Sequence, residues 1–312
     1  MPRPIILGVV GDSASGKTTL TRGLVRVLGQ ERVSHVCLDD YHRYDRSQRA
    51  DMGVTPLDPG CNHMDIMGQH LMLLRRGEAI MKPVYRHSDG TFAPPAYLTP
   101  GRFLIVEGLL GYHTDTLRDC FDIRVFLDPP ESLRRRWKVV RDCSRRGYTT
   151  NQVLDELDRR EPDSERYIRP QRHHADMVVR FADPPGAQDD PDSTHLDAHL
   201  LLRPGLPHPD LSDVVGDDPE RGLSLVGADG EQDLRVPGRL PAATALELEE
   251  RIWEHMHFAS HLRSERLGEF TLGTDLNRSD SLAIVQLLVL YHLVTARAKV
   301  ALGGAEAATR SG

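Results

Sequence analysis

Gly11-Asp12-Ser13-Ala14-Ser15-Gly16-Lys17-Thr18 has the form GxxxxGK[ST] and directly follows the apolar run Ile5-Ile6-Leu7-Gly8-Val9-Val10. Glycines at these places let backbone N–H groups close around phosphate oxygens. Lys17 has the length to reach terminal phosphates, and the Thr18 hydroxyl suits a Mg²⁺ ion. The upstream run predicts a buried strand, and residues 19–28 repeat apolar positions at helical spacing. A strand, a glycine-rich turn and a helix whose N-terminus faces an anion predict ATP binding, with contacts from Gly11 through Thr19 and Mg²⁺ as the accompanying metal.

The pattern spreads from this loop. Short β-branched runs at residues 4–10, 33–38, 103–106, 123–127 and 177–181 alternate with helical periodicity at 64–76, 131–145 and 150–160, which predicts an α/β fold on a mostly parallel sheet. Residues 82–100, with several prolines, read as a loop. From 183 to 235 thirteen acidic residues stand against three lysines and arginines, among many prolines and glycines. That composition predicts a variable surface section with two added strands near 199–202 and 223–226. Thr244-Ala245-Leu246-Glu247 matches a capping box before an amphipathic helix marked by Leu248, Ile252, Met256, Ala259 and Leu262, and another helix starts at Asp280. The expected division is a core over 1–182, an acidic Pro/Gly-rich section over 183–240, and C-terminal helices packing on the core over 241–312.

The chain has 312 residues and a formal net charge of −7, which argues against general nucleic-acid binding. No signal-peptide layout is visible, and the late apolar run at 282–294 is interrupted by Gln286 and His292. The expectation is a cytoplasmic protein with no membrane partner. Four cysteines without CxxC pairs predict reduced thiols.

Three further groups carry chemistry. At the end of the second predicted strand, Asp39 is the candidate base for an acceptor hydroxyl, since a carboxylate there can take a proton and hold the nucleophile in line. Asp40 fits a turn cap equally well. His42, Arg46 and Arg49 follow at intervals suited to an acceptor that already carries a phosphate. Phe103-Leu104-Ile105-Val106-Glu107-Gly108 is an apolar strand ending in an acid, so Glu107 joins Thr18 as a candidate Mg²⁺ group. Arg141 and Arg146, at the end of an arginine-rich helix, are candidates for a lid over the triphosphate, while Arg134, Arg135 and Arg136 fit a solvated face as well.

Taken together, these residues resemble the phosphoribulokinase and uridine kinase family of P-loop kinases, and the plant and cyanobacterial phosphoribulokinase branch in particular. The likeness rests on Cys37-Leu38-Asp39-Asp40-Tyr41-His42, Gly53-Val54-Thr55-Pro56-Leu57-Asp58-Pro59, Lys82-Pro83-Val84-Tyr85-Arg86-His87, Val106-Glu107-Gly108-Leu109 and Tyr167-Ile168-Arg169-Pro170-Gln171. Arg141-Asp142 with Arg146-Gly147-Tyr148 is similar to the proteobacterial branch, and Gly273-Thr274 to the plant C-terminus. The resemblance implies a P-loop NTPase kinase fold with added C-terminal strands and helices, a homodimer, and transfer of phosphate from ATP to D-ribulose 5-phosphate in the Calvin cycle of carbon fixation. It implies Asp39 and Lys17 as catalytic, Asp142 as a second functional carboxylate, and His42, Arg46, Tyr85, His87, Arg146 and Arg169 around the sugar phosphate, where the spacing of the residues adds Arg49. In the plant enzymes a loop cysteine pairs with the one before the LDDYH motif. Ser15 stands in the first place here and only Cys37 in the second, so no such disulfide switch is expected. A uridine or cytidine kinase and a non-catalytic ATP-binding regulator are the alternatives.

Overall fold

A computed structural model describes residues 2–186, 195–215, 223–228, 230–272 and 275–309. In chain order the elements are β1 (Ile5–Gly11), α1 (Lys17–Leu28), β2 (Val33–Cys37), α2 (Arg46–Met52), α3 (Met64–Arg75), β3 (Ile80–Arg86), β4 (Thr91–Leu98), β5 (Phe103–Gly108), α4 (Asp115–Arg118) and β6 (Ile123–Leu127). They continue with α5 (Glu131–Arg146), α6 (Thr150–Asp163), β7 (Met177–Ala182), β8 (Asp197–Leu202), β9 (Ser224–Ala228), β10 (Glu231–Val236), α7 (Ala242–Glu254), β11 (Glu269–Leu272), β12 (Asp275–Arg278) and α8 (Asp280–Thr309).

One sheet organises the molecule, in the order β2-β5-β1-β6-β7-β8-β10-β9. The first five strands run parallel, and β8, β10 and β9 extend the sheet antiparallel. β1 and β5 are buried at every residue, as expected of parallel strands covered by helices on both faces. The likeness to P-loop kinases therefore holds at the level of fold, with added strands and helices after residue 182. β10 is a strand the sequence hid, because Glu231-Gln232-Asp233 and Arg235 mask the inward Leu234 and Val236, both in the core.

Two expectations are corrected. Residues 82–100 are not a loop: β3 and β4 pair as a two-stranded antiparallel hairpin with an irregularity between Lys82 and Val84, beside Pro83. Prolines are tolerated there because Pro83, Pro94 and Pro95 all fall in that irregularity, between the pairs Lys82–Ala96 and Val84–Ala93, where no ladder N–H is required. Nor does Thr244 cap a helix. α7 opens two residues earlier, behind Pro241, with no side-chain cap, because proline's fixed φ already starts the turn. The stripe Leu248, Ile252, Met256 and Ala259 is buried as expected, although Met256 and Ala259 lie beyond α7 in the descent to a 3-10 turn at His257–Leu262. Gly273 and Thr274 lie outside the described residues.

α8 is longer than the interrupted apolar run suggested. Over Asp280–Gly303 it is long and apolar enough to cross a membrane, yet 72% of its 18-residue apolar window is buried inside the protein. It packs on α1, α7, β1 and β8. Each fully buried leucine, isoleucine or valine on it contributes about 1.5–3 kcal/mol, so α8 acts as a core helix. Gln286, which interrupts the apolar run, is satisfied inside the core: its Oε1 accepts from Gly268 N at 2.8 Å.

Candidate active site

The strand order puts three carboxyl-terminal strand ends side by side. β5 lies between β2 and β1, with Glu107 in register with Cys37 on one side and Val9 on the other. Asp39, two residues past β2, and the loop after β1 therefore flank Glu107.

In the loop, Gly16 sits at φ 95°, a left-handed conformation that favours glycine, and α1 begins at the next residue. Lys17 Nζ donates to the carbonyls of Gly11 and Asp12 at 2.8 and 2.7 Å. Burial lowers the lysine's proton affinity, and the fields of Asp39, Glu107 and Asp12 oppose that effect, so these three acids surround one ammonium. Thr18 Oγ1 donates to Glu107 Oε1 at 3.3 Å, and Thr21 Oγ1 to Glu107 Oε2 at 3.2 Å. Glu107 also meets His35 Nε2 at 3.3 Å. Burial would raise its proton affinity, but His35, Lys17 and Thr21 hold it below the ordinary range. Two hard oxygen donors thus converge beside the lysine, a set that fits Mg²⁺. The buried Ser15 hydroxyl has no hydrogen-bond partner among the described residues.

Asp39 keeps 27% of its side chain exposed, enough to meet a ligand, and its Oδ2 is 3.7 Å from His87 Nε2. Burial would raise its proton affinity, but His42, His87, Lys17 and Arg160 outweigh that and keep it ionised to below its usual pH. Asp40 points elsewhere. It pairs with Lys82 and accepts from Tyr85 N at 2.8 Å, fastening the β3–β4 hairpin to the turn that carries Asp39.

That hairpin closes the cleft beside Asp39. Tyr85 is buried, with His42 and His87 edge-on at 4.9 and 5.1 Å and the Arg49 guanidinium 5.3 Å from its ring centroid. Arg49 is buried as well, donating to Tyr85 Oη at 2.8 Å and to the Tyr44 carbonyl. His42 Nδ1 is 2.8 Å from Asn62 Oδ1, and burial lowers its proton affinity. Arg46, at the start of α2, donates to the His87 carbonyl at 2.6 Å. Arg169 stands apart from this cluster, half-exposed and paired with Glu161 and Glu165. Arg146 closes α5, and its side chain lies outside the described residues.

α5 lies over the loop. Arg141 Nη2 donates to Ser13 Oγ, and Arg134 Nη1 to Ser13 O, both at 3.3 Å. Asp142, 2% exposed, holds Arg141 Nε at 2.8 Å and Lys138 Nζ at 3.0 Å. Arg135 and Arg136 instead pair with Asp158 and Asp183. Sequence reasoning undervalued Arg134 and missed Arg160, whose charge acts on both Asp39 and Asp12 and whose Nε is buried without a hydrogen-bond partner among the described residues. A signal was present: Arg160 follows the buried Val153 and Leu157 at i+7 and i+3, on the inward face of α6.

Comparison with known proteins agrees with this geometry. The family model described as "Phosphoribulokinase / Uridine kinase family" matches residues 6–183. A phosphoribulokinase of Synechocystis sp. is 37% identical over 206 residues, covering 66% of this chain and 62% of its own. The chloroplastic phosphoribulokinase of Triticum aestivum is 30% identical over 221 residues, covering 65% and 55%. This chain thus spans less than two thirds of either relative's length. The solved phosphoribulokinase from Rhodobacter spheroides superposes with a TM-score of 0.59 at 19% identity, over 83% of this chain and 99% of that one, a likeness of fold. With the loop, the metal-side acid and the strand-end carboxylate arrayed along one sheet edge, the chain belongs to the phosphoribulokinase and uridine kinase family.

Proposed function

We propose that this protein is an ATP-dependent kinase acting on a sugar phosphate, D-ribulose 5-phosphate, to give ADP and ribulose 1,5-bisphosphate. The observation that carries the reading is Asp39: an accessible, ionised carboxylate sharing the field of Lys17 and walled by a hairpin of histidine and tyrosine. The names of the two curated relatives support it over the matched part of the chain.

In this reading Lys17 and the loop N–H groups from Gly11 through Thr19 hold the triphosphate of ATP. Thr18 and Glu107 hold Mg²⁺, which when bound neutralises phosphate charge. Asp39 takes the proton of the acceptor hydroxyl as its oxygen bonds to the γ-phosphorus and the bond to the ADP oxygen breaks. Arg141 offsets charge on the transferring group, and the buried Asp142 positions it. His87 and Arg46 face the acceptor phosphate, and the family resemblance adds Arg146 and Arg169 as further candidates to hold it. Arg49, Tyr85 and His42 shape the wall behind them. This chemistry lies within residues 1–182, with 183–240 and 241–312 as additions, in a cytoplasmic homodimer.

A coupled ADP-release assay with ATP·Mg²⁺ and a panel of ribulose 5-phosphate, other pentose phosphates, uridine and cytidine tests the proposal. Turnover with ribulose 5-phosphate is expected. Turnover with nucleosides alone makes the protein a nucleoside kinase, and ATP binding with no acceptor at all makes it a regulator.

A further inference from the structure

Three side chains of different chemistry meet beside the phosphate loop. A ligand atom from each of Cys37, Asp39 and His87 lies within 4.8 Å of the other two. Cys37 ends β2, Asp39 follows in the next turn, and His87 comes just after β3, so two separate elements build the cluster. All three are partly exposed and reachable from solvent.

A sulfur, an imidazole and a carboxylate form a zinc-type donor set, with a fourth position left for water. Mg²⁺ prefers oxygen donors, so the two cations sort themselves, Mg²⁺ to Thr18 and Glu107 and the softer ion to Cys37. Bond lengths near 2.0–2.3 Å put the ligand atoms of a tetrahedral zinc site roughly 3.3–3.8 Å apart. The Asp39–His87 separation, 3.7 Å, already meets this. The Cys37 sulfur lies within 4.8 Å of both, so the remaining closure is about 1 Å at most, within reach of rotation about the Cys37 side chain together with His87. Burial, with the charges of Asp39, Asp40 and Glu107, pushes the Cys37 thiol up, so the thiolate forms only together with the metal, while Lys17 and Arg160 oppose a cation from the Asp39 side.

We propose that Cys37, Asp39 and His87 bind a thiophilic divalent cation of the zinc class, and that its binding stops phosphoryl transfer by occupying the Asp39 carboxylate. On binding, the Cys37 S–H bond breaks, the proton goes to solvent, and the sulfur electron pair forms the bond to the metal. No redox partner takes part. The metal site stands on the geometry alone, and the inhibition rests on Asp39 being the base.

Co²⁺ titration of the full chain, followed by the sulfur-to-cobalt charge-transfer band, separates the two. The band should appear in the unaltered protein, disappear in Cys37→Ser, persist in Cys143→Ser, and need more Co²⁺ in His87→Asn. In the kinase assay with excess Mg²⁺, Zn²⁺ should inhibit reversibly with a zinc-selective chelator. Cys37→Ser should keep its basal turnover and need at least about tenfold more Zn²⁺ for the same inhibition. Absence of the band, or a band that survives Cys37→Ser, overturns the site. A Cys37-dependent band without inhibition keeps the site and overturns Asp39 as the base.

Discussion

Asp142 and Arg46 are both held by neighbours, yet they act at different distances from the chemistry. Burial would raise the Asp142 carboxyl, but Arg141 and Lys138 pull it from 3.8 to about 2. A depressed acid stabilises the fold above its unfolded value and loses that contribution as pH falls through its folded value. About 2 kcal/mol of stability should therefore vanish between pH 4 and pH 2, an effect absent from Asp142→Asn in urea titrations over that range. A carboxamide loses the charge-assisted bond that aims Arg141, so turnover should fall in this variant as well. Arg46 reaches the acceptor wall through the His87 carbonyl. Arg46→Ala should raise the acceptor KM by at least about tenfold and leave the ATP KM unchanged, because one charge-assisted phosphate contact is worth roughly 1.5–3 kcal/mol. An unchanged acceptor KM removes Arg46 from the site. Among single residues, Lys17, Thr18, Asp39 and Glu107 could be placed together from the chain because motif and strand end fixed their positions. Arg134 and Arg160 could not, since a run of arginines on a helix looks the same whether it faces water or a phosphate loop.

At the scale of elements, α1 carries the phosphate loop's helix and α8 is its buttress. They meet at Gly23, where an added Cβ would lie 2.0 Å from Gln286 Nε2. Gly23→Ala must push the two helices apart or break the Gln286–Gly268 hydrogen bond, so it should cost about 1–3 kcal/mol despite alanine's better helix propensity. A chemical-denaturation midpoint equal to that of the unaltered protein would contradict the close packing. The elements themselves were unevenly legible. Helices at 131–145 and 150–160 and the parallel strands announced themselves by period and β-branched content. The β3–β4 hairpin did not, because Pro83, Pro94 and Pro95 break the strand pattern and are harmless only because all three meet at one irregularity of the ladder, a fact of pairing that a linear sequence does not carry. In the acidic tract the strands near 199–202 and 223–226 were legible, whereas β10 was not, since polar residues outnumber its Leu234 and Val236 that reach the core.

For the whole molecule, the sheet order β2-β5-β1 is what turns separate motifs into one site, since it lines up Asp39, Glu107 and the phosphate loop on adjacent strand ends. The sequence motifs implied that meeting, but neither the hairpin that packs beside Asp39 nor the α5 contacts with Ser13 could be placed before the chain was folded. The central claim is that Asp39 removes the proton from the acceptor hydroxyl while the loop holds ATP independently of it. Comparing Asp39→Asn with the unaltered protein in both single-turnover phosphoryl transfer and equilibrium ATP binding tests this most directly. The account predicts transfer slowed by about 10²–10⁴ with ATP affinity within roughly twofold. Near-normal transfer, or a matching loss of ATP affinity, would contradict it.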